Sequence, residues 1–283
     1  MVVKSLDSMS YDGLYSVWAE AFKDYARSWT SDEYKKMLVR RGYNPSLSFG
    51  AFDGDRLVSF VLNGIGEWNS KKTAYDTGTG TIPEYRGKGL VKNIFIESIP
   101  FLKNADVKQC LLEVLDNNDK AIKIYKNLGF KVEREFNYFI QNKDAIVLNA
   151  NKIENNFLIN PINLEIGNQI NGFWDFTPSW QNCFDSLSRE TGGFITLGLY
   201  NENLLIGYGI IEPSSGDIPQ LAIHPDFRRR GLATTLLAEL LKYNQAPSIR
   251  VINTDKKCTN ITAFLESWNI QASGGQYEMI LDL

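Results

Sequence analysis

Two stretches of this sequence have residue types suited to holding a phosphate. The first is Ile82-Pro83-Glu84-Tyr85-Arg86-Gly87-Lys88-Gly89-Leu90, and the second is His224-Pro225-Asp226-Phe227-Arg228-Arg229-Arg230-Gly231-Leu232. Each follows a strand-like run and precedes a helix-like one. A strand-to-helix junction presents free backbone N–H groups and the positive end of a helix, which suits a phosphate or pyrophosphate. Glycine lets the backbone come close to such a ligand. Arg86 and Lys88, or Arg228, Arg229 and Arg230, add positive charge. The triple arginine also reads as a solvated patch or a nucleic-acid contact, but its place directly before a helix favours the phosphate of a small ligand. Other phosphate loops are excluded. A Walker loop needs a glycine where Ile82 stands and Ser or Thr where Gly89 stands. A dinucleotide fingerprint starting at Gly78 and Gly80 meets Pro83 where its third glycine belongs.

The elements around the two stretches also repeat. The offset from Arg86 to Arg228 is 228 − 86 = 142 residues, half of the 283-residue chain. Upstream of the first lies a hairpin pattern, Ser48–Phe52, a turn at Asp53-Gly54-Asp55, then Leu57–Leu62. Upstream of the second lie Phe194–Tyr200, a turn at Asn201-Glu202-Asn203, and Leu204–Ile206. Downstream, Leu90, Ile94, Phe95, Ile99 and Leu102 recur at helical spacing, as do Leu232, Leu236, Leu237, Leu240 and Leu241. Short apolar strands follow, Cys110 to Leu115 and Ile249 to Ile252. The pattern predicts two copies of one α/β unit, residues 1–149 and 150–283, divided at the polar stretch from Asn149 to Asn156. Near the N-terminus, Leu14, Tyr15, Trp18, Ala19, Phe22 and Tyr25 predict one helix, and Thr30 or Ser31 starts a second that runs through Arg40.

Composition narrows the function classes. Apolar residues make up 43% and charged residues 22%, ordinary for a globular chain that can bury a full core. The net charge of −3 gives no global case for nucleic acid or an anionic membrane. Cys110, Cys183 and Cys258 are odd in number and far apart, which argues against a disulfide framework or a metal site. The single histidine, His224, leaves no His-pair metal site and reads as a plain residue before proline. With no long apolar N-terminal run, the expected setting is a reducing cytoplasm. The expectation is no metal, no membrane, no nucleic-acid partner, and a monomer or homodimer.

The second stretch, Arg228-Arg229-Arg230-Gly231-Leu232-Ala233, resembles the acetyl-CoA pyrophosphate signature of the GNAT N-acetyltransferase superfamily, Arg/Gln-x-x-Gly-x-Gly/Ala. The first departs at its last place, where Val91 replaces Gly or Ala. The run from Asn118 to Phe130 looks like the family's Asn-x-x-Ala-x-x-x-Tyr-x-x-x-Gly-Phe block, with Asn118, Ala121, Tyr125, Gly129 and Phe130 in place. The resemblance covers nearly the whole chain as a tandem pair. It implies two mixed, mostly antiparallel sheets flanked by helices, with six or seven strands each. It implies acetyl-CoA as acyl donor, held by Gly80, Thr81, Ile82, Arg86, Gly87, Lys88, Gly89, Leu90, Val91 and Asn118, and by Arg228 to Ala233. It also implies a small-molecule or peptide amine as acceptor, with direct transfer in a ternary complex.

In that reading the backbone at Gly80 and Thr81 polarises the acetyl carbonyl, and Tyr125 protonates the departing thiolate. Glu113 reads either as a buried paired carboxylate or as the base that deprotonates the amine, with Asp76 and Glu67 as rivals. Tyr125 reads also as a core aromatic, and Asn118 as a helix N-cap. Aligning Trp268-Asn269-Ile270 with Leu128-Gly129-Phe130 puts Leu265 opposite Tyr125. The N-terminal copy is therefore the expected catalytic half. Two further readings are an acyl-CoA-binding sensor or scaffold without transferase activity, and a transferase for another acyl donor. The aromatic run Phe173–Trp180 lines a second pocket or an interface between halves in this reading.

Overall fold

The computed structural model describes residues 1–24, 29–147, 157–163 and 170–283. The chain divides into two compact units, one of Met1–Glu133 with Tyr277–Leu283, the other of Arg134–Gln276. The polar stretch at Asn149 and the helical position Tyr25 lie outside the described residues.

In the first unit β1 (Val2–Ser5) is followed by α1 (Tyr11–Ala21) and α2 (Ser31–Arg41). Ser10 caps α1 by accepting from the Gly13 amide. Thr30 and Glu33 close a reciprocal capping box on α2, and Gly42 ends it in the left-handed conformation. The hairpin pattern becomes β2 (Phe49–Asp53) and β3 (Arg56–Trp68), joined through Gly54. β4 (Lys71–Thr81) leads through the Arg86 loop into α3 (Leu90–Asn104), then β5 (Gln109–Leu115) and α4 (Asp119–Asn127). The strand order is β1-β2-β3-β4-β5, followed by the end of β12 (Ala272–Asp282). Pairing is antiparallel from β1 to β4 and parallel between β4 and β5. Trp18 of α1, Tyr34 of α2, Phe60 of β3 and Ile94 of α3 belong to one core cluster, which clamps the helices onto the sheet.

The second unit repeats the plan. Its elements are β6 (Lys131–Asn142), β7 (Phe157–Pro161), the short α5 (Phe184–Arg189), β8 (Ile195–Asn201), β9 (Leu204–Glu212) and β10 (Asp217–Ile223). They continue with α6 (Leu232–Leu241), β11 (Ser248–Asp255) and α7 (Thr259–Glu266). Its strand order is β12-β6-β11-β10-β9-β8-β7. The β10–β11 pair is parallel, as β4–β5 is in the first unit.

Packing divides the chain differently from a cut between residues 149 and 150. The strand after α4, β6, pairs antiparallel with β11 of the second unit, Ser248 opposite Asn142 and Asp255 opposite Phe136. The end of β12 belongs to the first unit, where Met279 is fully buried in the core and the Leu283 amide donates to Lys108. The repeat unit of the sequence and the packing unit of the fold thus differ by an exchanged last strand.

Candidate active site

Each unit opens where its parallel pair parts. In the first, β4 and β5 pair at Thr73–Gln109, Ala74–Cys110 and Tyr75–Leu111. β4 then runs on to Thr81 and β5 to Leu115. A β-bulge lies beside this parting, where the β3–β4 register slips between Leu62 opposite Gly78 and Asn63 opposite Asp76, leaving Thr77 unpaired. The Ile82 amide donates to Val58 at 3.0 Å. Bonded and non-bonded pairs alternate along an antiparallel ladder. The Thr81 amide, opposite Ser59, therefore faces the open edge of β4, whereas the Gly80 amide faces β3. Of the two amides expected at the oxyanion position, that of Thr81 is the one directed to the open edge.

The loop after β4 is built to expose backbone. Gly87 and Gly89 have φ of +77° and +73°, and a Cβ at either would meet nothing within 4 Å. Leu90 and Val91 open α3, whose N-terminus has no side-chain cap. The second loop repeats this backbone, with Arg229 at φ 63° in the place of Gly87 and Gly231 at 76° in the place of Gly89. Leu232 and Ala233 open the uncapped α6. Both loops therefore fit a pyrophosphate through amides and the helix end.

The arginine that leads each motif does something else. Arg86 Nε donates to the Thr81 carbonyl, Nη2 to the Ala21 carbonyl at 2.9 Å, and Nη1 to Asp24. Arg228 repeats the set with the Ile223 carbonyl, the Phe173 carbonyl at 2.9 Å and Asp175. Both side chains fix the strand end to the segment that crosses it and do not point their charge into the loop. Lys88 lies over the Tyr85 ring and Arg230 over the Phe227 ring. At the second loop Arg229 lines the cavity, as Arg228 does.

The candidate chemistry of the first unit gathers at the bulge. Asp76 accepts from the Gly78 amide at 2.9 Å, the Thr79 hydroxyl at 2.6 Å and the Tyr125 hydroxyl at 3.4 Å. Burial pushes its carboxyl up to about 6, against the pull of those three donors and of the Arg41 guanidinium. On the other side of the parting, Glu113 of β5 accepts from the Tyr75 hydroxyl at 2.9 Å. Burial first, and then Glu113, hold the Tyr75 hydroxyl well above its ordinary value, so it stays a donor. Tyr125 is buried among Phe95 and Phe130, yet its hydroxyl reaches Asp76, so it is both core aromatic and polar group. Asn118 caps α4 through the Ala121 amide at 3.2 Å. Glu67 is exposed opposite Lys72 near the far end of the β3–β4 hairpin, away from the bulge. Thr79 is the site residue that the sequence reading missed, and only the bulge brings it to Asp76.

Equivalent positions in the second unit follow from shared hydrogen bonds. The Phe130 amide donates to Tyr125, and the Ile270 amide to Leu265. Gly129 and Asn269 are both left-handed, with φ of 99° and 62°. Leu265 therefore stands opposite Tyr125, as the alignment expects. The Asn118 amide donates to Leu115 and the Cys258 amide to Asp255, so Cys258 stands opposite Asn118. Arg250 pairs with Asp217 as Leu111 does with Tyr75, so the bulged pair Ile252 and Asn253 stands in the place of Glu113. The Ile82 and His224 amides likewise bond the neighbouring strand, which puts Ile218 opposite Asp76. His224 also accepts from the Asp226 amide and packs edge-on against Phe173. Among the described residues no cluster of three or more His, Cys, Asp or Glu is arranged to hold a metal, and no helix is long and apolar enough to cross a membrane.

A model of the acetyltransferase (GNAT) family matches residues 13–130 and again 163–263. N-alpha-acetyltransferase 30 of Schizosaccharomyces pombe is 28% identical over 120 residues, covering 41% of this chain and 79% of that protein. Spermidine N(1)-acetyltransferase of Thermoplasma acidophilum is 29% identical over 131 residues, covering 44% of this chain and 74% of that protein. Among solved structures, a tandem GNAT protein from the clavulanic acid biosynthesis pathway has a TM-score of 0.76 at 11% identity, covering 99% of this chain and 98% of its own. That likeness concerns the fold of the whole chain.

Proposed function

From the premise that the chain belongs to the acetyltransferase (GNAT) family, we propose that its N-terminal copy transfers acetyl from acetyl-CoA to a small-molecule or peptide amine, directly in a ternary complex. Acetyl-CoA supplies an activated thioester. The open Gly87–Gly89 backbone and the uncapped α3 suit its pyrophosphate, and the parting of β4 and β5 suits its arm. The Thr81 amide, on the open edge of β4, is the donor for carbonyl oxygen. Two carboxylates, Asp76 and Glu113, flank the opening and are placed to take a proton from an ammonium group. Asp76, at about 6, is the better matched base near neutral pH. Tyr125 gives its hydroxyl proton to the leaving sulfur by turning it away from Asp76, the acceptor it donates to here.

The observation that carries this reading is the gathering of Asp76, Thr79 and Tyr125 at the bulge beside the open loop. The test mixes the full chain with acetyl-CoA and either polyamines or peptides with free N-termini, and follows thiol release. Amine-dependent release, lost in Gly89→Glu and slowed in Tyr125→Phe, supports the assignment. Release that survives Gly89→Glu and disappears in Gly231→Glu moves catalysis to the other copy. Binding without transfer is favoured for the second unit alone, because Ile218, the Ile252 and Asn253 pair, and Leu265 stand in place of the ionisable groups there.

A further inference from the structure

The second unit contains two adjoining cavities. One, of about 480 Å³, is lined by Arg229, Gly231, Ala233, Thr234 and Asn260 around the loop. The other, smaller and of about 70 Å³, lies where β10 and β11 part. They share Asp175, Leu221, Ala222 and Ile261, so the inner chamber opens towards the loop. In the first unit the corresponding surface of β4 is covered, since a Cβ on Gly78 would stand 2.4 Å from the Trp18 ring. The second unit has Gln220 at that place, and it lines the chamber.

The wall of the chamber is chemically distinctive. Ile218, the bulged pair Ile252 and Asn253, and Leu265, in the places of Asp76, Glu113 and Tyr125, all line it, together with Leu237 and Val251. Three groups that could carry protons are thus replaced by apolar side chains and one amide. Two titratable side chains also line it. Asp175 is ion-paired with Arg228 at 2.6 Å. Tyr208, its hydroxyl pushed up by burial, bonds Trp174 and Gln220. Gln220 in turn donates to the Asn182 carbonyl at 2.6 Å, so the network holds the back wall in one arrangement. Asn253 is 1% exposed, sits in a left-handed bulge of β11, and gives its amide to Ser179 at 2.9 Å. Its Oδ1 has no hydrogen-bond partner among the described residues. An N–H donor on a ligand entering the chamber, such as an amide of a CoA arm, can satisfy this buried acceptor.

We propose that the second unit is a binding site for an acyl-CoA whose aliphatic acyl group is longer than acetyl, and that it holds this thioester without transferring it. The proposal rests on the reading of the Arg229–Ala233 loop as a CoA phosphate site. The loop takes the nucleotide end, the parted strands take the arm, and the acyl chain fills the apolar part of the chamber. No bond is made or broken there, because among the described residues the chamber has no free base and no proton donor matched to a thiolate.

The experiment is a calorimetric titration of CoA, acetyl-CoA, butyryl-CoA and hexanoyl-CoA into the full chain carrying Gly89→Glu, which closes the first loop. Affinity is expected to rise about fourfold for each buried methylene. Adding Gly231→Glu removes all binding, and adding Ile218→Phe, which fills the chamber, flattens the chain-length dependence while CoA alone binds as before. Far-ultraviolet circular dichroism and the unfolding midpoint identify a variant that has simply lost its fold, and Ala222→Leu at the passage then serves in its place. CoA binding with equal affinity for all chain lengths overturns the chamber assignment and leaves the loop reading intact. CoA binding that ignores Gly231→Glu, or no binding at all in the Gly89→Glu chain, overturns the loop reading itself. Amine-dependent thiol release from hexanoyl-CoA in the Gly89→Glu chain overturns the claim that this unit does not transfer.

Discussion

Replacing Asp76 by Asn tests the electrostatics of the bulge directly. The Asp76 carboxyl is pushed from 3.8 to about 6, chiefly by burial. Between those two values the folded chain keeps the proton while the unfolded chain releases it. Stability therefore falls as pH rises through that window. The contribution is complete below the unfolded value and gone above the folded one. A difference of about 2 units corresponds to about 3 kcal/mol. Asp76 keeps some solvent-accessible surface, so about 3 kcal/mol is a ceiling, and ~1–3 kcal/mol is the expected range. Asparagine keeps an acceptor for the Gly78 amide, and the Thr79 and Tyr125 hydroxyls can rotate to accept from its amide nitrogen. It does not titrate. The assay is urea unfolding of both proteins at intervals from about pH 4 to about pH 8. The stability of Asp76→Asn relative to the parent should rise by ~1–3 kcal/mol across that range. Carbon-13 resonances of the Asp76 carboxyl should show a midpoint near 6. A flat difference, or a midpoint near 4, would refute the claim that burial outweighs the three donors and Arg41.

Further consequences can be measured independently. Arg86→Lys loses the geometry that serves Thr81, Ala21 and Asp24 at once, so it should cost about 1–3 kcal/mol in thermal or urea unfolding, and Arg228→Lys a similar amount. Equal stability of both variants and the parent would show that the clamps are idle. Met279→Ala should destabilise the first unit by about 2–5 kcal/mol although it lies in the last repeat, read as loss of amide protection on β5. Cys110 should resist a thiol reagent until the chain unfolds, because burial pushes its thiol up to about 12, and rapid labelling of that residue in the folded protein would contradict its placement. Tyr125→Phe should lower kcat in the acetyl-transfer assay with little change in KM for acetyl-CoA, and an unchanged kcat would return Tyr125 to a purely core role.

Several features were legible because they depend on local pattern. Apolar residues from Leu90 to Leu102 and from Leu232 to Leu241 gave the two helices after the loops, since a helix facing a sheet repeats at its own period. The two Arg-x-x-Gly stretches gave the duplication and the strand-to-helix junctions. Leu265 opposite Tyr125 followed from spacing alone, because the turn after each short helix needs one left-handed residue, Gly129 or Asn269.

Other features required the fold. The sequence repeat cannot show that β6 and the end of β12 leave their own repeat, because a strand's pattern says which face is buried but not which neighbour it pairs with. Arg86 and Arg228 look like phosphate ligands in the sequence, and only packing gives their guanidinium groups three other partners each. Asp76, Thr79 and Tyr125 meet where a single unpaired residue, Thr77, breaks the face alternation of β4. The chamber of the second unit depends on how Gln220, Tyr208 and the parted strands assemble, which only packing decides. The sequence by itself determined the element types, the duplication and the loops, since these rest on periodicity and backbone freedom. The tertiary structure alone decided which side chains share a cavity and which carboxylate is forced towards neutrality, because burial and proximity exist only after the strands have paired.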